Sequence, residues 1–488
     1  MTDGRDSDPP TVTAPPEISA PEVAATAVPG FWASVAEALR GSRQDFTEGS
    51  VARAVLLLAV PMVLEMALES VFAVTDVFFV GRLGADAVAT VGLTESVLAL
   101  MYAAAAGLAV GATALVARRV GEHDRAGAGD AAMQAVLLGG LAALALGTLG
   151  ALGAPRILRL MGAPASVLAT GTGYARIMLG GSGTVLLLFL LNAIFRGAGD
   201  AAIAMRVLWL ANSINILLGP CLIFGLGPFP RLGVAGAALA TTIGRGTGVA
   251  VALATLARRG GRVSIRHRRV AIAPSVMGRM VRLSFAGALQ ALIGTASWVG
   301  CMRIAATFGA EVLAGYTIGM RIVVFAILPS WGLSNAAATL VGQALGASRP
   351  ERGERAVWLT GFYDCCVLGA LGVMFVLAAH PIVGVFSSDP AVVQVGANCL
   401  RIIAAGFPFY AYGMVVTNAF NGAGDTWTPT VINLFIFWVW EIPLAYALAI
   451  TAGIGPRGIF TAIAVAFSTL AVVSALLFRR GRWKRVRV

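Results

Sequence analysis

The stretch "PMVLEMALESVFAVTDVFFV" (61–80) sets three carboxylates, Glu65, Glu69 and Asp76, inside an otherwise apolar run. At about 100° per residue on a helix they fall within about 40° of one another, on a stripe roughly 16 Å long. Ionisable groups at membrane depth are expensive and are functional candidates by default. A ladder of acids facing protein or water suits a path for protons or cations. The plainer alternative is a set of buried acids neutralised by arginines. A fourth acid, Glu441, stands in "FWVWEIPLAY" (437–446) beside Trp438 and Trp440. Aromatic faces around a carboxylate suit a hydrophobic cation; the alternative is a structural pair with Arg321 or Arg245. Asp364 is close enough to a span end to be expected at the interface, outside the site.

These residues need elements that hold them at depth. Of 488 residues, 58% are hydrophobic and 12% charged, and the mean hydropathy is +0.83. Soluble domains carry about a quarter charged residues. Apolar runs such as "LALMYAAAAGLAVGATALVA" (98–117) recur along the chain. Each is long enough for a helix that crosses the hydrocarbon core with its backbone satisfied internally. Twelve spans are expected, near 52–80, 85–117, 129–152, 165–194, 201–226, 235–257, 276–305, 311–344, 356–379, 391–419, 427–449 and 454–478.

The net charge of +12 is topological. Arg118, Arg119 and Arg125 follow span two, Arg258 to Arg269 follow span six, Arg349 to Arg355 follow span eight, and Arg479 to Arg487 close the chain. All lie on one side of an even-spanned protein, which the positive-inside rule makes the cytoplasm, with both termini there. Nucleic acid is not an expected partner; anionic lipid is a secondary one. Residues 1–48 read as a Pro-rich, acidic tail, in which 31–40 ("FWASVAEALR") is either a short interfacial helix or a linker. The five cysteines (Cys221, Cys301, Cys365, Cys366, Cys399) show neither metal spacing nor a disulfide framework.

"FRGAGD" (195–200) returns as "FNGAGD" (420–425), an offset of 225 that also aligns Gly84 with Gly309, Gly121 with Gly346 and Arg176 with Arg401. The offset holds from span two to the loop after span four, then continues at 222, where "GVAGAALA" (233–240) meets "GPRGIFTA" (455–462). The chain is therefore two homologous halves of six spans. Equal orientation implies a pseudo-two-fold along the membrane normal, with a cleft between bundles that can open to either side. The expected fold is all-α integral membrane: an N-terminal bundle at 49–257, a basic linker at 258–275, a C-terminal bundle at 276–478 and a basic tail at 479–488. Asp200 and Asp425 are expected to cap the helices that follow them. Glu65, Glu69 and Asp76 map onto Gln290, Gly294 and Cys301, so the ion site belongs to the first half.

"VTDVFFVGRLGADAVATVGL" (74–93), "FRGAGDAA" (195–202), "GVAGAALAT" (233–241) and "GYTIGMRIVVFAILPSWGLSNAAATLVGQALGA" (315–347) together resemble the MATE (multidrug and toxic compound extrusion) transporters, with the DinF-like branch the nearer. The resemblance spans residues 50 to 478. It implies export of small organic cations or amphiphiles from the cytoplasm, across the cytoplasmic membrane, in exchange for protons or sodium and without a cofactor. Asp76 matches the coupling aspartate of the first helix, and Asn215 and Thr241 match further polar site residues. Gly219 stands where many relatives carry an aspartate. A site of Asp76, Asn215 and Thr241 is then poor in oxygen ligands for sodium, which favours protons, with sodium as the alternative. A monomer is expected. The competing readings are a lipid-linked precursor flippase, an intramembrane enzyme and a channel. HExxH, GxSxG and P-loop motifs are missing, and His123, His267 and His380 lie apart near loops.

Overall fold

The computed structural model describes residues 30–42, 44–258, 261–265 and 272–486. Residues 1–29 of the expected Pro-rich tail and residues 259–260 and 266–271 of the expected basic linker lie outside them. A short helix α1 (Phe31–Arg40) precedes the first bundle, so the helical alternative holds for 31–40. The first bundle consists of α2 (Val51–Gly81), α3 (Ala85–Gly121), α4 (Arg125–Leu160), α5 (Ala165–Gly180), α6 (Ser182–Ala198), α7 (Ala201–Phe224) and α8 (Val234–Leu256). The second consists of α9 (Pro274–Ala306), α10 (Ala310–Gly346), α11 (Pro350–Gly384), α12 (Pro390–Ala404), α13 (Phe407–Ala423), α14 (Trp427–Asn433), α15 (Ile442–Tyr446) and α16 (Pro456–Arg479). Wider π-turns at Leu434–Glu441 and Ala447–Thr451 join α14 and α15 into one span. Among the described residues, eleven helical stretches are long and apolar enough to cross a bilayer, and the bent pair α12–α13 makes a twelfth.

The repeat is visible in the irregularities. Span four is interrupted at Gly181 and span ten at Gly406, where α12 and α13 meet at 58°. Both glycines are close-approach points. A Cβ on Gly181 would stand 2.5 Å from Thr242 Oγ1 of α8, and one on Gly406 would stand 3.2 Å from Ala464 of α16. Each hexapeptide ends its helix on a left-handed glycine, Gly199 and Gly424, both at φ 86°, a conformation that costs a residue with a Cβ. The two aspartates then diverge. Asp425 accepts from the Thr428 amide at 3.2 Å and its hydroxyl at 2.7 Å, as a cap should. Asp200 makes no cap and pairs instead with Arg262 at 3.2 Å. Burial pushes the Asp200 carboxyl above the usual carboxylate range, and the Arg262 guanidinium offsets part of that rise.

The halves meet through α2 against α10 and α3 against α9. Since α9 repeats α2 and α10 repeats α3, a two-fold exchanges these contacts. Small residues bring the helices close. A Cβ on Gly332 would stand 2.7 Å from the Met62 backbone, and one on Gly287 3.1 Å from Gly107.

At the end bearing both termini the halves are closed. Thr339 donates to the Arg196 carbonyl at 3.2 Å and Gln343 to that of Gly197 at 3.0 Å. Arg262 donates to Ser42 and Gln44 carbonyls, Arg352 to those of Phe46, Glu48 and Gly49, and Arg118 to that of Val486. At the opposite end the same helix faces part. Leu100, two turns from Gly107, is 61% exposed, and an added Cβ on Gly294, two turns from Gly287, meets nothing within 4 Å. The cleft opens away from the termini.

Candidate functional site

The stripe on α2 turns into the first bundle, and its three acids have different partners. Glu65 is 1% exposed. Its Oε1 accepts from Arg196 of α6 at 2.8 Å and from Asn192 at 3.1 Å, while Oε2 has no partner among the described residues. Glu69 accepts from Asn212 of α7 at 2.9 Å and pairs with Arg245 of α8 at 3.2 Å. The Arg245 guanidinium also lies 5.5 Å from the Phe72 ring and 5.8 Å from the Tyr102 ring. For Glu65 and Glu69 the neutralised alternative therefore describes the observed contacts. Desolvating a charge is costly unless it is paired, and each of these two acids sits with a cation from a distant helix.

Asp76 is half-buried and forms no hydrogen bond or ion pair among the described residues. Its charge interacts at longer range with Arg245 and Glu95. Tyr174 of α5 lies within electrostatic reach of both acids. Asn215 donates to Thr241 at 2.7 Å, and Thr241 returns its proton to the Ala237 carbonyl at 3.0 Å, an i−4 contact. This bond ties α7 to α8, but no hydrogen bond links Asp76 to either residue. Gly219 leaves open space: an added Cβ meets only Asn215 Oδ1, at 3.9 Å. Among the described residues no three His, Cys, Asp or Glu side chains form a metal-holding group.

Glu441 is also 1% exposed, but its partner is not an arginine. Cys301 Sγ donates to it at 3.4 Å. Arg245 is engaged with Glu69, and Arg321 interacts with Glu95. Trp438 donates its ring N–H to the Ile293 carbonyl at 3.1 Å, and Trp440 is exposed. An apolar groove of about 960 Å³ runs between α9 and the 427–451 span; Trp438 lines it and Glu441 does not. The aromatic–acid arrangement expected for a cation is thus divided between two surroundings.

Asp364 corrects the expectation of an interfacial acid. It is fully buried, accepts from the equally buried Ser330 hydroxyl, and its Oδ2 has no partner. Because α11 begins at Pro350, Asp364 lies roughly 21 Å along the helix.

Glu95 escaped the sequence reading, and Arg321 entered it only as an alternative partner of Glu441. Both are exposed, one on α3 and the other on α10, ten and eleven residues from the helix starts at the open end. They set opposite charges at matching depth on facing halves, without an ion pair closer than 4 Å among the described residues. The signal was present: Glu95 is an intramembrane acid as much as Glu69 is.

Two six-span bundles around a cleft, with charged groups at mid-depth, are the build of a multi-pass membrane transporter. The family pattern described as MatE matches residues 61–221 and 283–447, and the chain belongs to this family. It is 25% identical over 437 residues to a "Probable multidrug resistance protein NorM" of Thermotoga maritima, covering 89% of this chain and 94% of that one. It is 24% identical to a "FAD transporter" of Shewanella oneidensis, covering 90% and 96%. A solved structure described as the outward-facing conformation of a multidrug resistance MATE family transporter superposes with a TM-score of 0.85 at 25% identity, covering 90% of this chain and 98% of that one.

Proposed function

We propose that this chain is a secondary antiporter that exports cationic amphiphiles from the cytoplasm by alternating access, driven by protons moving inward. One observation carries the reading. Of the three acids on α2, Glu65 and Glu69 are held by arginines, whereas Asp76 has no direct partner among the described residues and feels the charges of Glu95 and Arg245 only at longer range. An acid free to exchange its proton within electrostatic reach of a guanidinium can couple its charge state to the packing of α2 against α8. Protonation removes the attraction to Arg245, and deprotonation restores it. Sodium is the weaker alternative, since the space at Gly219 is bordered within 4 Å by a single oxygen, Asn215 Oδ1, and hard cations take several. The arginine blocks at the closed end support a cytoplasmic location for both termini in the cytoplasmic membrane. The multidrug relatives support cationic and amphiphilic cargo, and the unbroken interface between the halves within one chain supports a monomer.

A second reading of the cargo rests on Arg321. A cation exposed on the cleft wall suits an anionic or zwitterionic compound, and one relative is described as a FAD transporter.

The test uses vesicles holding the purified chain in sodium-free buffer with an imposed pH gradient. Uptake of a cationic dye, lost in Asp76→Asn, is expected. Transport that starts only when sodium is added, or that Asp76→Asn retains, overturns the proton reading; FAD movement without dye movement selects the second cargo.

A further inference from the structure

At the end bearing the termini, a pocket of about 340 Å³ lies where α9 begins and α14 begins, with Val486, which accepts from Arg118 of α3, on its wall. Its walls include Arg279, Arg282, Leu283, Asp425, Thr426 and Trp427. The two arginines are three residues apart, which puts them on one side of α9. Both are exposed, and neither forms an ion pair or hydrogen bond among the described residues. The one acid in the pocket does not neutralise them, because Asp425 is bound to the Thr428 amide and hydroxyl. Two free guanidiniums thus converge on one concave site, each a planar fork matched to phosphate oxygens.

What adjoins the pocket identifies the ligand. Along α9 the outward residues are Val281 (47% exposed) and Phe285 (62%), and along the neighbouring span Val431 (60%) and Phe435 (52%). The Phe285 and Trp427 rings lie 6.5 Å apart at the mouth. The seam between the two helices therefore runs from a doubly cationic pocket at the membrane surface into apolar side chains at membrane depth. A tryptophan with an apolar body and a polar edge is at home at that boundary. A soluble anion would use the arginines and leave the seam bare, whereas a phospholipid uses both.

We propose that Arg279 and Arg282 bind the phosphate of an anionic phospholipid from the leaflet on the terminal side, with its acyl chains lying along Phe285, Val431 and Phe435. A basic pocket between transmembrane helices is the general form of such sites. The charge complementarity rests on the two α9 arginines; the basic tail contributes Val486 to the wall. The site lies outside the cleft and does not depend on the transport reading.

Retention of lipid by the full-length chain is measured by native mass spectrometry as phosphatidylglycerol or phosphatidylcholine is titrated, with thermal melting in parallel. Phosphatidylglycerol is expected to be retained over phosphatidylcholine. The double variant Arg279→Gln/Arg282→Gln should lower its affinity roughly thirtyfold, each arginine contributing about a factor of five. Arg279→Lys/Arg282→Lys should lose part of that, since charge stays but the fork is gone. Arg479→Gln/Arg480→Gln in the tail should change retention little. Both pocket side chains are exposed, so the melting of each variant in phosphatidylcholine should match the parent. Three results overturn the proposal: no preference between the lipids, equal loss in the tail variant, or inorganic phosphate raising the melting temperature as much as phosphatidylglycerol does.

Discussion

Gly121 and Gly346 occupy equivalent places in the two halves, and each lies against the end of the other's helix. A Cβ on Gly121 would collide with the Gln343 carbonyl, and one on Gly346 with that of Arg118. The closure at the terminal end is thus made of backbone against backbone, reciprocally, at the ends of α3 and α10. Gln343 and Thr339 then bond to the turn that ends α6, which joins this contact to the first hexapeptide loop. A rocking motion that opens this end must break both glycine contacts together, because the pseudo-two-fold relates them.

Adding a methyl at either glycine tests that closure. Gly346→Ala should force the ends of α3 and α10 apart at a cost of about 1–3 kcal/mol, the usual range for overpacking. Distances between spin labels on the α3–α4 and α10–α11 turns should lengthen relative to the parent. An unchanged distance distribution would mean the helices accommodate a Cβ without opening.

The acids of α2 should separate into structural and exchangeable groups. Glu65→Leu leaves Arg196 buried without its partner, a loss of about 3–5 kcal/mol for a broken buried pair. Asp76→Asn removes no hydrogen bond or ion pair and should leave the melting temperature close to the parent's. Equal destabilisation by the two substitutions would contradict the division.

The second bundle makes a different prediction at Asp364. With no cation beside Asp364 among the described residues, Asp364→Asn keeps the contact to Ser330 and should change stability by less than about 1 kcal/mol. Asp364→Leu leaves the Ser330 hydroxyl unsatisfied and should cost about 1–3 kcal/mol. Denaturant unfolding in detergent distinguishes the two, and a large loss in the Asn variant would reveal a required negative charge.

Across the cleft, Glu95 and Arg321 should act with opposite sign on a charged ligand. Glu95→Gln is expected to weaken binding of a monovalent cationic dye about tenfold, and Arg321→Gln to strengthen it, with both effects shrinking as salt rises. Equilibrium dye binding at two salt concentrations checks this. A shift in the same direction for both variants would place one of the two charges outside the cleft.

The docking of α1 carries a pH dependence. The Ser42 hydroxyl and the Arg53 guanidinium, the latter at 2.6 Å, hold the Glu37 carboxyl below its usual value. A depressed carboxylate stabilises the folded contact above its unfolded pKa of about 4.3 and loses that contribution as pH falls through the lower, folded value. Amide exchange in α1 should therefore be flat near neutrality and accelerate below pH ~4.3, beyond its intrinsic trend. Glu37→Gln should remove that acceleration.

The sequence alone determined the number of the spans, the doubling of the chain, the two GAGD turns and the common stripe of Glu65, Glu69 and Asp76. Each of these is a local or periodic property: apolar length, helical phase, a constant offset. Tertiary structure decided which acid remains free. Arg196 and Arg245 stand 131 and 176 residues beyond the acids they hold, and neither periodicity nor composition can assign such partners. It also decided that Asp364 is buried, that Glu441 meets a cysteine and not an arginine, and that Asp200 forms an ion pair where its repeat mate caps a helix. The physical reason is the same in every case. The state of a charge in a low-dielectric interior depends on the groups packed around it, and only the fold brings those groups together.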